Sequence, residues 1–259
     1  MAGNHIPGTG VLMSGPVLVL VPGASHGGWC FGPVVRELKR AGIRSIAVDL
    51  PSVGGDRGLQ ADLHGDAAYV REVLEQAGAP VVLAGHSYGG AVITEAGVHP
   101  NVRHLVYLAA LIPGDEETSA QLLGVPDLSG LGDDPFPPPP AADATARFYH
   151  DCDEAVAAWA VANLRPQPVT WMLQRPLAVA WRERPSTYVV CSDDRAIPAD
   201  LQRAWAKRCT ASVEWDSGHS PFLSHPAWVS DLLAATVGSL TTTSAITNPS
   251  SSTDTQGNA

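Results

Sequence analysis

An apolar run, Val81-Val82-Leu83-Ala84, leads straight into Gly85-His86-Ser87-Tyr88-Gly89-Gly90. A bare G-x-S-x-G pattern is weak in a glycine-rich chain; its place between a strand and a helical segment is what gives it chemical meaning. A turn that tight forces Ser87 to a positive φ, and Gly85 and Gly89 leave room for the neighbouring backbone. Ser87 is the predicted nucleophile. The backbone N–H of Tyr88, at the start of the following helix, is predicted to stabilise a developing oxyanion.

A serine hydroxyl needs a base, and the base needs an orienting carboxylate. Among nine histidines, His219 follows the last strand-like run in Trp215-Asp216-Ser217-Gly218-His219-Ser220, where a loop can return it to the sheet edge. His225, beside Pro226, reads as a capping or surface residue. For the acid, Tyr188 to Cys191 ends in Ser192-Asp193-Asp194-Arg195-Ala196-Ile197-Pro198. Asp194 is preferred because its D-x-x-x-P spacing to Pro198 resembles the acid loop of many enzymes with such a serine and base; Asp193 is the alternative acid, its competing reading being a turn-former that bonds its own backbone. The second oxyanion donor is expected in Pro22-Gly23-Ala24-Ser25-His26-Gly27-Gly28, at the N–H of Ala24, with His26 bracing the loop.

These residues need a scaffold, and the chain supplies strand-like runs at Val17–Val21, Ser45–Val48, Val81–Ala84, Leu105–Leu108, Thr187–Cys191 and Ser212–Trp215. All six read as buried. Helical patterns lie between them at Phe31–Ala41, Asp62–Ala77, Ala91–Val98, Ala199–Arg208 and Ala227–Gly238, with Asp62 and Pro226 at favoured helix starts. Strand–helix alternation of this kind specifies an α/β fold, a mostly parallel sheet of about six strands with helices on both faces. The core is read as residues 16–111 and 185–240.

Residues 112–184 break that rhythm with the proline run Pro137–Pro140 and an Ala-rich stretch carrying Trp159, Trp171 and Trp181. This segment is expected to be a helical cap insertion that lies over the sheet edge and sets substrate preference. Residues 1–15 read as a flexible leader, and the polar run 241–259 as a disordered tail that buries too little to offset its ordering.

Composition narrows the function classes. The chain has 259 residues, 45% hydrophobic and 16% charged, with a net charge of −10 from 16 basic and 26 acidic residues. Such a surface does not track phosphates, so nucleic acid is not an expected partner. No apolar run approaches the roughly 20 residues of a membrane span. The N-terminus lacks the pattern of a secretory signal, and Cys30, Cys152, Cys191 and Cys209 are scattered and read as free thiols, so a cytoplasmic location is expected.

The order Ser87, Asp194, His219 is that of α/β-hydrolases. The chain resembles that superfamily over about residues 16–238, and within it the small esterase branch that includes methyl-salicylate-type esterases and hydroxynitrile lyases. The resemblance rests on Pro22-Gly23-Ala24-Ser25-His26-Gly27-Gly28-Trp29, Gly85-His86-Ser87-Tyr88-Gly89-Gly90, Tyr107-Leu108-Ala109-Ala110, Asp194-Arg195-Ala196-Ile197-Pro198 and Gly218-His219-Ser220. It implies a helical cap over the cleft, no metal, no cofactor and acyl chemistry on a small carbonyl substrate. Pro22 departs from the usual histidine, yet removes no backbone donor. The lyase members use a hydroxyl side chain and a lysine at positions that resemble Gly23 and Ser220 here, which disfavours cyanide release. Ser87 excludes the epoxide- and halide-removing routes, which need a carboxylate.

The expected function is therefore hydrolysis of an ester or thioester of a small, apolar or aromatic molecule. Two alternatives carry the same residues: a natural-product biosynthetic enzyme performing cyclisation, rearrangement or C–C cleavage, and a hydrolase homologue that binds a ligand without turnover. Oligomeric state is not legible.

Overall fold

The computed structural model describes residues 15–54, 62–125, 128 and 135–246. Six parallel strands form one sheet: β1 (Val17–Val21), β2 (Ser45–Ala47), β3 (Val81–His86), β4 (Val102–Leu108), β5 (Ser186–Cys191) and β6 (Ala211–Trp215). Their spatial order is β2-β1-β3-β4-β5-β6. The chain steps outward from β1 to β2 and then returns past β1 to β3. Connections from β1 and β3 thus leave the sheet in opposite directions, and the carboxyl ends at such a switch point are where open α/β sheets bind their ligands.

Alternation along the strands feeds two cores. In β1, Val19 and Val21 face one layer and Leu18 and Leu20 the other. The first layer holds α2 (Leu63–Ala77), α3 (Gly89–Ala96) and α7 (Ala199–Ala206); the second holds α1 (Gly32–Arg40), the short α8 (Pro221–Ser224) and α9 (Pro226–Ile246). Burial on both faces explains why β1, β3 and most of β4 and β5 are continuously apolar. The edges differ: β2 and β6 are partly exposed along their length, which corrects the expectation that all six strands are buried. An edge strand has a neighbour on one side only, and Glu214 of β6 uses its exposure to pair with Arg203 at 2.6 Å.

Helix starts follow local chemistry. Asp62 accepts from Gly65 N–H at 2.9 Å, and Pro226 opens α9. That last helix continues to Ile246, past Thr241, where a tail is read from sequence. The hydroxyls of Ser239 and Thr241 bond back to Thr236 and Gly238 carbonyls, so these residues do not compete with the helix. The rest of that tail and nearly all of the leader lie outside the described residues.

Between β4 and β5 lie α4 (Ser119–Leu123), α5 (Ala141–Phe148) and α6 (Glu154–Asn163), with an isolated antiparallel bridge joining Phe136 to Gln167. The three tryptophans of this segment have separate fates. Trp171 is buried with its ring centroid 4.2 Å from that of Tyr88; Trp181 donates to Pro113 O at 3.0 Å; Trp159 is 46% exposed and meets Trp29 edge-on. No helix among the described residues is long and apolar enough to cross a membrane.

Candidate active site

Ser87 follows β3 with φ 51°, one of three non-glycine residues in the left-handed region among the described residues. The turn leaves no space for side chains on its neighbours. A Cβ on Gly85 would lie 2.5 Å from Gly89 O, and one on Gly89 would lie 2.5 Å from Val21 O. The strand-to-helix reversal is thus packed against the end of β1, which brings Gly23 against Ser87: a Cβ on Gly23 would lie 2.9 Å from Ser87 Cβ.

At the carboxyl end of β5, Asp194 folds back on its own turn. Its Oδ1 accepts from Ala196 N–H at 2.7 Å and Ile197 N–H at 2.9 Å. Its Oδ2 accepts from Gln202 Nε2 at 2.8 Å and from His219 Nδ1 at 2.7 Å. A carboxylate only accepts, so Nδ1 carries the proton and His219 Nε2 presents a lone pair. Both side chains are buried, at 9% exposure for Asp194 and 2% for His219. Asp194 therefore combines the turn-forming and histidine-orienting roles. Asp193 does not bond its own backbone as the sequence suggests; its half-exposed carboxylate accepts from His150 Nε2 at 2.9 Å.

The structure brings His219 and Asp194 into direct contact and carries Ser87 to the same sheet edge. The Ser87 hydroxyl makes no hydrogen bond to His219 among the described residues. Two contacts tie the pieces together: His86 Nε2 donates to His219 O at 2.9 Å, and the two imidazole centroids lie 4.6 Å apart. Burial, reinforced by His219 and His26, holds His86 well below the usual histidine range, so it acts as a neutral donor. His225 lies apart, stacked on Trp228 with centroids 4.0 Å apart.

The backbone N–H groups of Ala24 and Tyr88 have no acceptor among the described residues. Around them the loop is pinned. His26 Nδ1 donates to Ala24 O at 2.7 Å, while Tyr149 Oη donates to His26 Nε2 at 2.6 Å. Burial lowers the His26 pKa to about 4, which keeps one nitrogen free to accept.

Sequence reasoning did not find several partners of these residues. Gln202 holds Asp194, Asp151 Oδ2 accepts from Gly218 N–H at 2.7 Å beside His219, and Phe148 at the end of α5 places its ring 5.7 Å from that of His219. Among the described residues no group of three or more His, Cys, Asp or Glu is placed to hold a metal ion.

A parallel α/β sheet with a strained serine after its third strand, and an Asp–His pair after its fifth and sixth, defines the class of α/β-hydrolases. The chain belongs to the Alpha/beta hydrolase family, which matches residues 18–232. Alpha/beta hydrolase nvfD of Aspergillus novofumigatus is 30% identical over 86% of this chain and 97% of its own length. Methylesterase 17 of Arabidopsis thaliana is 27% identical over 87% and 94%. The crystal structure of a pyrethroid hydrolase from Sphingobium faniae JZ-2 aligns with TM-score 0.73 at 25% identity, covering 86% of this chain and 97% of that one. With such relatives the chain is an enzyme of the carboxylic ester hydrolase type.

Proposed function

We propose that this protein is a serine esterase that cleaves an ester or thioester of a small apolar or aromatic molecule through an acyl-enzyme. The observation that carries the reading is the 2.7 Å hydrogen bond between Asp194 Oδ2 and His219 Nδ1 at the sheet edge where Ser87 adopts φ 51°. Ser87 Oγ attacks the carbonyl carbon as its proton passes to His219 Nε2. The Ala24 and Tyr88 N–H groups take the charge on the former carbonyl oxygen. Collapse breaks the C–O or C–S bond, and His219 returns the proton to the leaving alcohol or thiol. Water then attacks the acyl-enzyme, again losing a proton to His219, and the acid departs with Ser87 restored. Asp194 fixes the tautomer and stabilises the imidazolium.

The aromatic surfaces near the base support an apolar or aromatic substrate: Phe148 stands 5.7 Å from His219 and 6.1 Å from His26 by ring centroids. The four unpaired cysteines support a reducing, cytoplasmic location. Hydrolysis of a short p-nitrophenyl ester tests the reading. Ser87→Ala is expected to lower kcat at least about 10³-fold, and undiminished turnover in that variant rules the mechanism out.

A further inference from the structure

The peptide joining Ala24 to Ser25 is gripped at both its polar atoms. Its oxygen accepts from His26 Nδ1, and the same ring is held by Tyr149, just beyond α5. Its nitrogen, on Ser25, donates to Gln167 Oε1 at 2.8 Å. The grip on the nitrogen comes from the cap directly, and the grip on the oxygen comes from the loop's own His26, braced from the cap by Tyr149. The Ser25 carbonyl also accepts from Arg165 N–H at 3.0 Å, and the backbone of Gln167 exchanges two hydrogen bonds of 3.0 Å with Phe136. Ser25 itself has φ 63°, a conformation an L-residue keeps only where its surroundings over-determine it.

Gln167 is 4% exposed, and its amide has one way to point. Oε1 must face Ser25 N–H, because an N–H cannot accept; Nε2 then donates to Ser52 Oγ at 2.8 Å. Ser52 Oγ donates onward to Asp66 Oδ2 at 2.5 Å, and the same oxygen accepts from Tyr88 Oη at 2.7 Å. Each hydrogen along the path has one acceptor. The chain of bonds runs from the residue after Ala24, through the cap, to Tyr88, so it links the two residues whose N–H groups are unpaired.

We propose that Gln167 is a positioning residue of the oxyanion site: by fixing the Ala24–Ser25 peptide it sets the direction of the Ala24 N–H and couples it to Tyr88. This inference rests on the serine-esterase reading given above. It makes the cap part of the catalytic scaffold as well as a cover. A residue that merely fastened the cap would alter stability or substrate binding; one that aims an oxyanion donor alters the transition state selectively.

The test compares parent, Ser87→Ala, Gln167→Met and Gln167→Glu on p-nitrophenyl butyrate. It also measures inhibition by a trifluoromethyl ketone whose serine adduct carries an oxyanion. Gln167→Met is expected to lower kcat about 10- to 100-fold with KM within about threefold, and to weaken the ketone by a similar factor. Gln167→Glu, which keeps an oxygen for Ser25 N–H, is expected to recover at least about fivefold of the lost kcat. A Gln167→Met kcat within threefold of parent, an unchanged ketone affinity despite lost kcat, or a glutamate variant no better than methionine overturns the proposal. Should Gln167→Met not fold, Gln167→Glu and Ser52→Ala decide: Ser52→Ala is expected to lower kcat at least about threefold at unchanged KM, and unaltered kcat in both overturns it. Equal turnover by parent and Ser87→Ala would instead overturn the esterase reading itself, whereas an inert Ser87→Ala beside a fully active Gln167→Met defeats only the role of Gln167.

Discussion

His86, the residue before Ser87, donates its Nε2–H across 2.9 Å to the backbone carbonyl of His219. The turn that carries Ser87, the proposed nucleophile, therefore also holds the loop that carries His219, the proposed base. His86→Leu keeps an apolar filling but leaves a buried carbonyl without its donor, at a cost of about 1–3 kcal/mol. We expect a lower urea midpoint and a kcat reduced about tenfold with little change in KM. Unchanged kcat would show that His219 keeps its place without that bond.

The two adjacent carboxylates make opposite predictions. Asp194 accepts four hydrogen bonds, one of them from His219, whereas the Asp193 carboxylate, among the described residues, reaches only His150 near the surface. Asp194→Asn would set an amide nitrogen against the His219 and Gln202 donors and is expected to lower kcat by about 10³- to 10⁴-fold. Asp193→Asn is expected to stay within about threefold of parent. Steady-state kinetics on one ester separates them, and the reverse ranking would move the acid to Asp193.

Gly23 has no room for a side chain, because a Cβ there would sit 2.8 Å from His86 Nδ1 and 2.9 Å from Ser87 Cβ. Gly23→Ala must push the elbow or the oxyanion loop aside. We expect a loss of about 1–3 kcal/mol in stability together with most of the activity. Gly238→Ala is the control: it lies inside α9, and apart from its chain neighbours and the helix's own backbone nothing lies within 4 Å of a Cβ there, so activity should be unchanged and the helix slightly firmer, by about 0.5–1 kcal/mol.

Two buried groups with shifted pKa values pull stability in opposite directions with pH. Burial holds His26 at about 4, against 6.5 for a free histidine. Between those values the unfolded chain binds the extra proton, so stability falls as pH drops from 6.5 towards 4. Burial raises Asp66 from 3.8 to about 6. There the folded chain holds the extra proton, so stability falls as pH rises across that window. His26→Gln is expected to flatten the acid loss by up to about 1.4 kcal/mol per pH unit, and Asp66→Asn to steepen it. Urea midpoints between pH 4.5 and 6.5 read both slopes; parallel curves for His26→Gln and parent would remove His26 from the account.

Much of the scaffold is legible in the sequence because buried parallel strands are short apolar runs bounded by glycine, proline and polar residues. The β3 run extends to His86, two residues beyond its apolar part, since Gly85 and His86 belong at once to the strand and to the turn motif. The partial exposure of β6 is not legible, because edge position depends on sheet order. Ser87, Asp194 and His219 could be picked out by strand-end placement and order. The residues that fix them could not: Gln167, Gln202 and Asp66 are isolated polar residues in unremarkable local sequence, and Gln167 meets Ser25 across 142 residues. A single amide carries no spacing signal, so only the folded chain reveals which backbone group it serves.

Mass spectrometry of the intact protein after treatment with a fluorophosphonate tests the central claim most directly. The account predicts that the parent gains the mass of a single phosphonyl group, mapped by peptide fragmentation to Ser87, and that Ser87→Ala gains none while His219→Ala reacts at least about 10²-fold more slowly. A parent enzyme that hydrolyses esters yet takes no label on Ser87, or one labelled equally fast without His219, would contradict it.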